Sequence, residues 1–326
     1  MNPSRMNETV DDQQTEWATS AVLLDENALL RKWELSDEGA EAHMFTEDVH
    51  HGVIPYARQD AMQITLTPED ERARDLVADA LRRNRSYRDR LDEAVIDFIR
   101  ECTQTLMSFG KAQYEIVTQR VIGSDDPVGF RLQWVMPYTI CRKRRRWVQD
   151  LGSKVAEERR RDRFLPVDVS RIITFELPKP LTPRKFLRIK KELAQMGTSL
   201  IPEFGLDPAS QPPGYDFASF IRQRERALAA VTRELGWNGR GSIGKHMTEY
   251  YYAARDLRFR RFLLSLREAI LAKLNSVLKV QLRRFSAQGQ IAISGLLTNA
   301  EIETLETILE HPTDLRALAR RIMGHE

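Results

Sequence analysis

In the stretch 248–285, TEYYYAARDLRFRRFLLSLREAILAKLNSVLKVQLRRF, apolar residues recur at steps of four and three through Phe259, Leu263, Leu266, Ile270, Leu274 and Val277. That rhythm draws one stripe down a helix, and Leu264, Leu271 and Leu278 widen it. The stretch holds neither proline nor glycine, so nothing in it breaks a helix. Thr248 is the expected N-cap, and Glu249 sets negative charge against the positive end of the helix dipole. Such a helix would span roughly 50 Å at about 1.5 Å per residue. That is the length of a spine lying across several packed elements or along a subunit interface.

The same reading extends to the rest of the chain. Thr67-Pro68-Glu69-Asp70 reads as a helix start, with Thr67 as cap and Pro68 at the first helical position, ending near Arg83. Ser86 opens the next helix, whose stripe is Leu91, Val95, Phe98, Cys102, Leu106 and Phe109, and Gly110 stops it. A hairpin follows: Tyr114 and Ile116 alternate with polar residues, 123–127 makes the turn, and Phe130, Leu132, Trp134 and Met136 return. Arg171 to Leu177 is a short strand closed by Pro178 and Pro180. Helices are expected from Thr182-Pro183 to Gly197 and from Asp216 through Leu235 to Gly236, separated by the proline-bearing stretch 201–214. Thr298-Asn299-Ala300-Glu301 is a capping box, and a last short helix covers Asp314 to Met323. The pattern predicts an α+β chain, predominantly helical, with a small antiparallel sheet and a long spine helix. Its divisions are an N-terminal arm 1–55, an α+β region 56–181, helices and linker 182–247, the spine 248–285 and a helical end 286–326.

Composition changes this picture mainly through charge. The formal net charge is only +3, but residues 1–50 carry twelve acids against three bases, whereas 142–163 carries ten bases against four acids. An acidic arm and a basic segment in one chain point to subunit contacts or to a polyanion. The arm itself is weakly periodic, with Trp17 and Trp33 as isolated anchors, and is expected to be partly ordered at best. Cys102 and Cys141 form no metal-ligand spacing, and no long apolar run suggests a membrane span.

Candidate chemistry is sparse. Arg142, Lys143, Arg144, Arg145 and Arg146 form the densest positive run, reinforced by Arg159, Arg160 and Arg161. Phosphate contact, an acidic face of another subunit, or plain solvent would each suit it. Gly239-Arg240-Gly241-Ser242-Ile243-Gly244-Lys245 has P-loop spacing, but His246 stands where a magnesium-binding hydroxyl is needed and a helix precedes it instead of a strand. His50-His51, with His43 nearby, are read as lying in a loop beside Gly52 and Pro55, which does not gather ligands for a metal. Tyr250, Tyr251 and Tyr252 point in different directions from a helix, so at least one ring should meet another element or another chain. No nucleophile setting or carboxylate pair stands out, and no catalytic residue, cofactor or metal is expected.

Taken in order, four segments resemble the portal proteins of tailed bacteriophages. LDEAVIDFIRECTQTLMSFGKAQYEIV, leading into FRLQWVMPYTI, is similar to the wing helix, glycine and hairpin of that family. LPVDVSRIITFELPKPL looks like its following strand. FIRQRERALAAVTRELGW, a loop and a long helix ending ILAKLNSVL resemble its charged helix, loop and long helix, and SGLLTNAEIETLETIL resembles a common C-terminal start. The resemblance covers roughly residues 55 to 310. It implies a structural protein forming a closed, dodecameric ring at a capsid vertex, with double-stranded DNA in its channel and capsid protein, terminase and neck proteins as partners. The family's stem and clip are longer than the Thr182 to Tyr215 segment available here. The alternative is a cytoplasmic nucleic-acid-binding protein that uses Arg142 to Arg146.

Overall fold

A computed structural model describes residues 15–18, 39–55, 61–81, 91–122, 127–158, 162–179, 181–199, 217–240 and 248–310. The spine, α7 (Glu249–Arg284), forms where its pattern places it. The Thr248 hydroxyl accepts the Tyr251 N–H at 3.2 Å, and Phe285 is the C-cap. Leu266, Ile270, Leu274, Leu278 and Leu282 are all buried. Four residues advance the face by about 40° on a 3.6-residue turn, so this buried row winds around the helix. That winding is why Val277, expected on the stripe, is only partly buried while Leu278 is fully so. The helix therefore touches different elements at successive levels.

The largest of the sheets is centred on β3 (Lys111–Val121), which pairs antiparallel with β4 (Pro127–Val135) along nearly its whole length. Tyr114 faces Trp134 and Ile116 faces Leu132, as the alternation predicts. The turn residues 123–126 lie outside the described set. Two short strands share the other edge of β3 end to end. β8 (Ile172–Glu176) pairs with Lys111 to Glu115, and β1 (Thr15–Ala18) pairs with Thr118 to Val121. The helix α3 (Leu91–Phe109) lies against β3 and places Phe98 among Tyr114 and Phe175, with ring centroids 5.0 and 5.7 Å away.

The acidic arm contributes α1 (Ala40–Val53), which buries Ala42, Phe45, Val49 and Val53 in the main core, and β1, which joins the sheet. Three expectations need correction. His50 and His51 consequently stand in a helix, not in a loop. Thr67 and Pro68 do not start a helix. Thr67 ends β2 (Gln63–Thr67), which pairs with β9 (Gln290–Ser294), and α2 (Glu71–Leu81) is capped instead by Asp70, whose carboxylate accepts the Ala73 N–H at 3.1 Å. The helix expected to reach Gly236 is α6 (Phe217–Val231), which ends four residues before Leu235. The Ser86 start, the 201–214 linker and the Asp314 to Met323 helix lie outside the described residues.

Other local signals hold. The helix α5 (Pro183–Ser199) opens on Thr182, whose hydroxyl accepts the Lys185 N–H at 3.3 Å. In α8 (Asn299–Glu310) the Glu301 carboxylate accepts the Thr298 N–H at 2.7 Å and the Thr298 hydroxyl accepts the Glu301 N–H at 3.3 Å, a reciprocal capping box. One continuous core draws on α1, α2, α3, α5, the sheet and α7. α1 passes close to α7 at Gly52, where a Cβ would fall 2.6 Å from a Leu263 methyl.

A candidate nucleic-acid interface

The basic run proves to be a finger. β5 (Ile140–Lys143) and β6 (Arg146–Asp150) form a tight hairpin, and β7 (Phe164–Pro166) pairs with the far side of β6. Arg144 and Arg145 are its two turn residues, with φ of 47° and 67°. Positive φ at both centres is the type I′ geometry that matches strand twist, usually met by Asn-Gly. The signal for the two strands was present in Ile140-Cys141 and Trp147-Val148, β-formers on either side of the run. No turn residue marked the reversal between them.

All residues from Arg142 to Trp147 are exposed, whereas Val148 and Gln149 beneath them are buried. The base is firmly held. Leu151, Met136 and Ala156 of the short helix α4 (Ser153–Glu158) form a small core of their own, and the Asp150 N–H donates to Thr139 O at 2.7 Å. Arg163 grips both oxygens of Asp150, at 2.8 and 3.1 Å, and that pairing holds the Arg163 guanidinium protonated beyond its ordinary range. The finger is therefore a rigid projection.

Register fixes where its charges go. Arg142 opposes Trp147 and Lys143 opposes Arg146, so the two pairs occupy opposite faces of the ribbon. Arg144 and Arg145 occupy the tip. Lys143 lies over the Phe164 ring, 3.1 Å from its centroid, with the Arg163 guanidinium at 4.9 Å. Among the described residues, Arg142, Arg144, Arg145 and Arg146 have no carboxylate partner. Arg159, Arg160 and Arg161 lie outside the described residues.

Three acids of the arm are engaged within the chain. Glu41 of α1 is paired with Arg224 of α6. Arg240 reaches Glu47 at 2.9 Å and Asp48 at 2.6 Å, and its hydrogen bond draws the Glu47 carboxyl below its usual range. Arg240 belongs to the P-loop-like stretch, most of which (241–245) lies outside the described residues. Tyr250, Tyr251 and Tyr252 are each 42–45% exposed in the first turns of α7, so none is a core residue.

A cavity of about 390 Å³ lies between α1, α7 and the segment after β9. Its polar groups are already occupied. Asp48 accepts from Trp237 and Arg240, Asp256 binds Arg260 at 2.7 Å, and Arg267 donates to Leu297 O at 2.8 Å. Burial lowers the pKa of Arg267. Among the described residues no group of His, Cys, Asp and Glu side chains is placed to hold a metal, and no helix is long and apolar enough to cross a membrane. No protein-family model matches the chain, and no curated protein matches it.

Proposed function

We infer that this chain is a structural, DNA-contacting protein of the portal type, which assembles into a ring around double-stranded DNA. The observation that carries the reading is the rigid finger of Arg142 to Arg146, whose arginines have no carboxylate partner among the described residues. Unmatched cations at a fixed projection favour a polyanion, because displacement of condensed counterions makes each phosphate contact favourable at moderate salt. Glu41, Glu47 and Asp48 are matched within their own chain, so these three acids do not call for the finger of a neighbour. Self-association is supported by the three exposed tyrosines at one end of a 36-residue helix. The cavity, whose carboxylates and Arg267 all have partners, supplies no reason to add catalysis.

Light scattering after size exclusion, followed by negative-stain images, tests assembly. Rings with a central hole are expected. A monomer at every protein and salt concentration would remove the portal reading and leave its runner-up, a nucleic-acid-binding protein that works alone through the same finger.

A further inference from the structure

We propose that the finger enters the major groove of B-form DNA and holds both phosphate walls at once. This rests on the reading of Arg142 to Arg146 as a nucleic-acid contact and names the form of nucleic acid it fits. A basic strand laid along one backbone needs cations on one face. This ribbon instead carries Arg142 on one face, Lys143 and Arg146 on the other, and Arg144 and Arg145 at the tip. Charge on both faces and the end matches a trench with two anionic sides. Side chains stand out from both faces of the ribbon, so it suits a groove about 12 Å wide and not one about 6 Å wide. The deep, narrow major groove of A-form RNA would exclude it.

The turn supports the same use. Arginine at both positive-φ positions is a less favourable choice than Asn-Gly for forming the hairpin, and non-glycine residues in this region are commonly kept for function. Trp147, exposed beside Arg142, adds an amphipathic ring against sugar or base edges on that face.

The test uses fluorescence anisotropy of the full chain with a short duplex DNA, one strand of that duplex, and a duplex RNA of matching sequence, across a salt series. Duplex DNA is expected to bind about tenfold or more tighter than the other two, and methyl green, a major-groove ligand, should compete where netropsin does not. Arg142→Ala and Arg146→Ala, on opposite faces, should each reduce the slope of log K against log salt by nearly one unit. Replacing Arg144 and Arg145 by Asn and Gly preserves the turn. It should leave thermal stability equal or higher while reducing the slope by about two units. Equal binding of the single strand, competition by netropsin, or a slope that responds to only one face would overturn groove entry while the polyanion reading stood. No binding to any of the three nucleic acids would overturn both.

Discussion

Arg255 and the arginines of the finger carry the same group into opposite surroundings. Arg255 is 1% exposed, yet it has no carboxylate partner among the described residues. Its guanidinium donates to Asn238 Oδ1 at 2.7 Å, Ala229 O at 3.0 Å, Thr232 Oγ1 at 2.7 Å and Trp237 O at 2.6 Å. It thus ties α7 to the end of α6 and to the turn at Gly236. That glycine has φ of 79°, and a Cβ on it would fall 2.2 Å from Arg255 O. Burial lowers the Arg255 pKa, with the hydrogen bond to Tyr251 opposing. The finger's arginines meet none of these acceptors. An arginine whose donors are answered inside the chain is structural, and one held rigidly with its donors unanswered is available to a ligand.

The two regions should therefore fail differently. Arg255→Ala removes four hydrogen bonds and leaves Ala229 O and Thr232 Oγ1 short of a donor, each worth roughly 1 to 3 kcal/mol, so urea unfolding should show a loss of about 3 kcal/mol with little direct effect on DNA binding. A loss under about 1 kcal/mol would mean that water replaces the guanidinium and that the contrast is false. Leu266→Ala, in the same buried region, should cost about 2 to 5 kcal/mol in the same measurement. Leu266→Asp should not yield a soluble protein of unchanged stability, given that Leu266 is fully buried.

Replacing Arg142, Arg144 and Arg146 together by alanine should move stability by no more than about 0.5 kcal/mol for each substitution. The same variant should lose DNA affinity, with the salt slope falling by nearly one unit for each lost phosphate contact. A large stability loss would place the finger with Arg255 among structural arginines. The smallest effect concerns pH. Burial, and then the charges of His51 and Arg100, hold the His50 pKa below its ordinary value. The unfolded chain therefore takes up this proton first. His50's contribution is fully present above about pH 6.5 and is lost as pH falls from there toward the depressed folded value. Denaturation across that window should show a slope that His50→Gln reduces.

The sequence by itself determined the elements whose signals lie within one or two turns. The unbroken helix and Thr248 cap of α7, the pairing of β3 with β4, and the Thr298-Glu301 box all formed where their patterns place them. These succeed because helix periodicity, strand alternation and capping are satisfied by residues a few positions apart. The five basic residues of the finger were also visible in the sequence, but as a charge run without a shape. Tertiary structure decided the rest. Thr67 looked like a cap until β2 found β9, more than two hundred residues along, and the ladder took its backbone. The arm looked only weakly periodic, and its place in the core came from Phe45 meeting Trp237 at 5.2 Å and from Arg224 and Arg240 answering Glu41, Glu47 and Asp48. The Arg144-Arg145 reversal lacked any Asn or Gly to announce it, and it is held by the Asp150–Arg163 pair and the small core at its base. In each case the deciding partner is distant in sequence or lacks a local signature, so only the folded chain brings the two together.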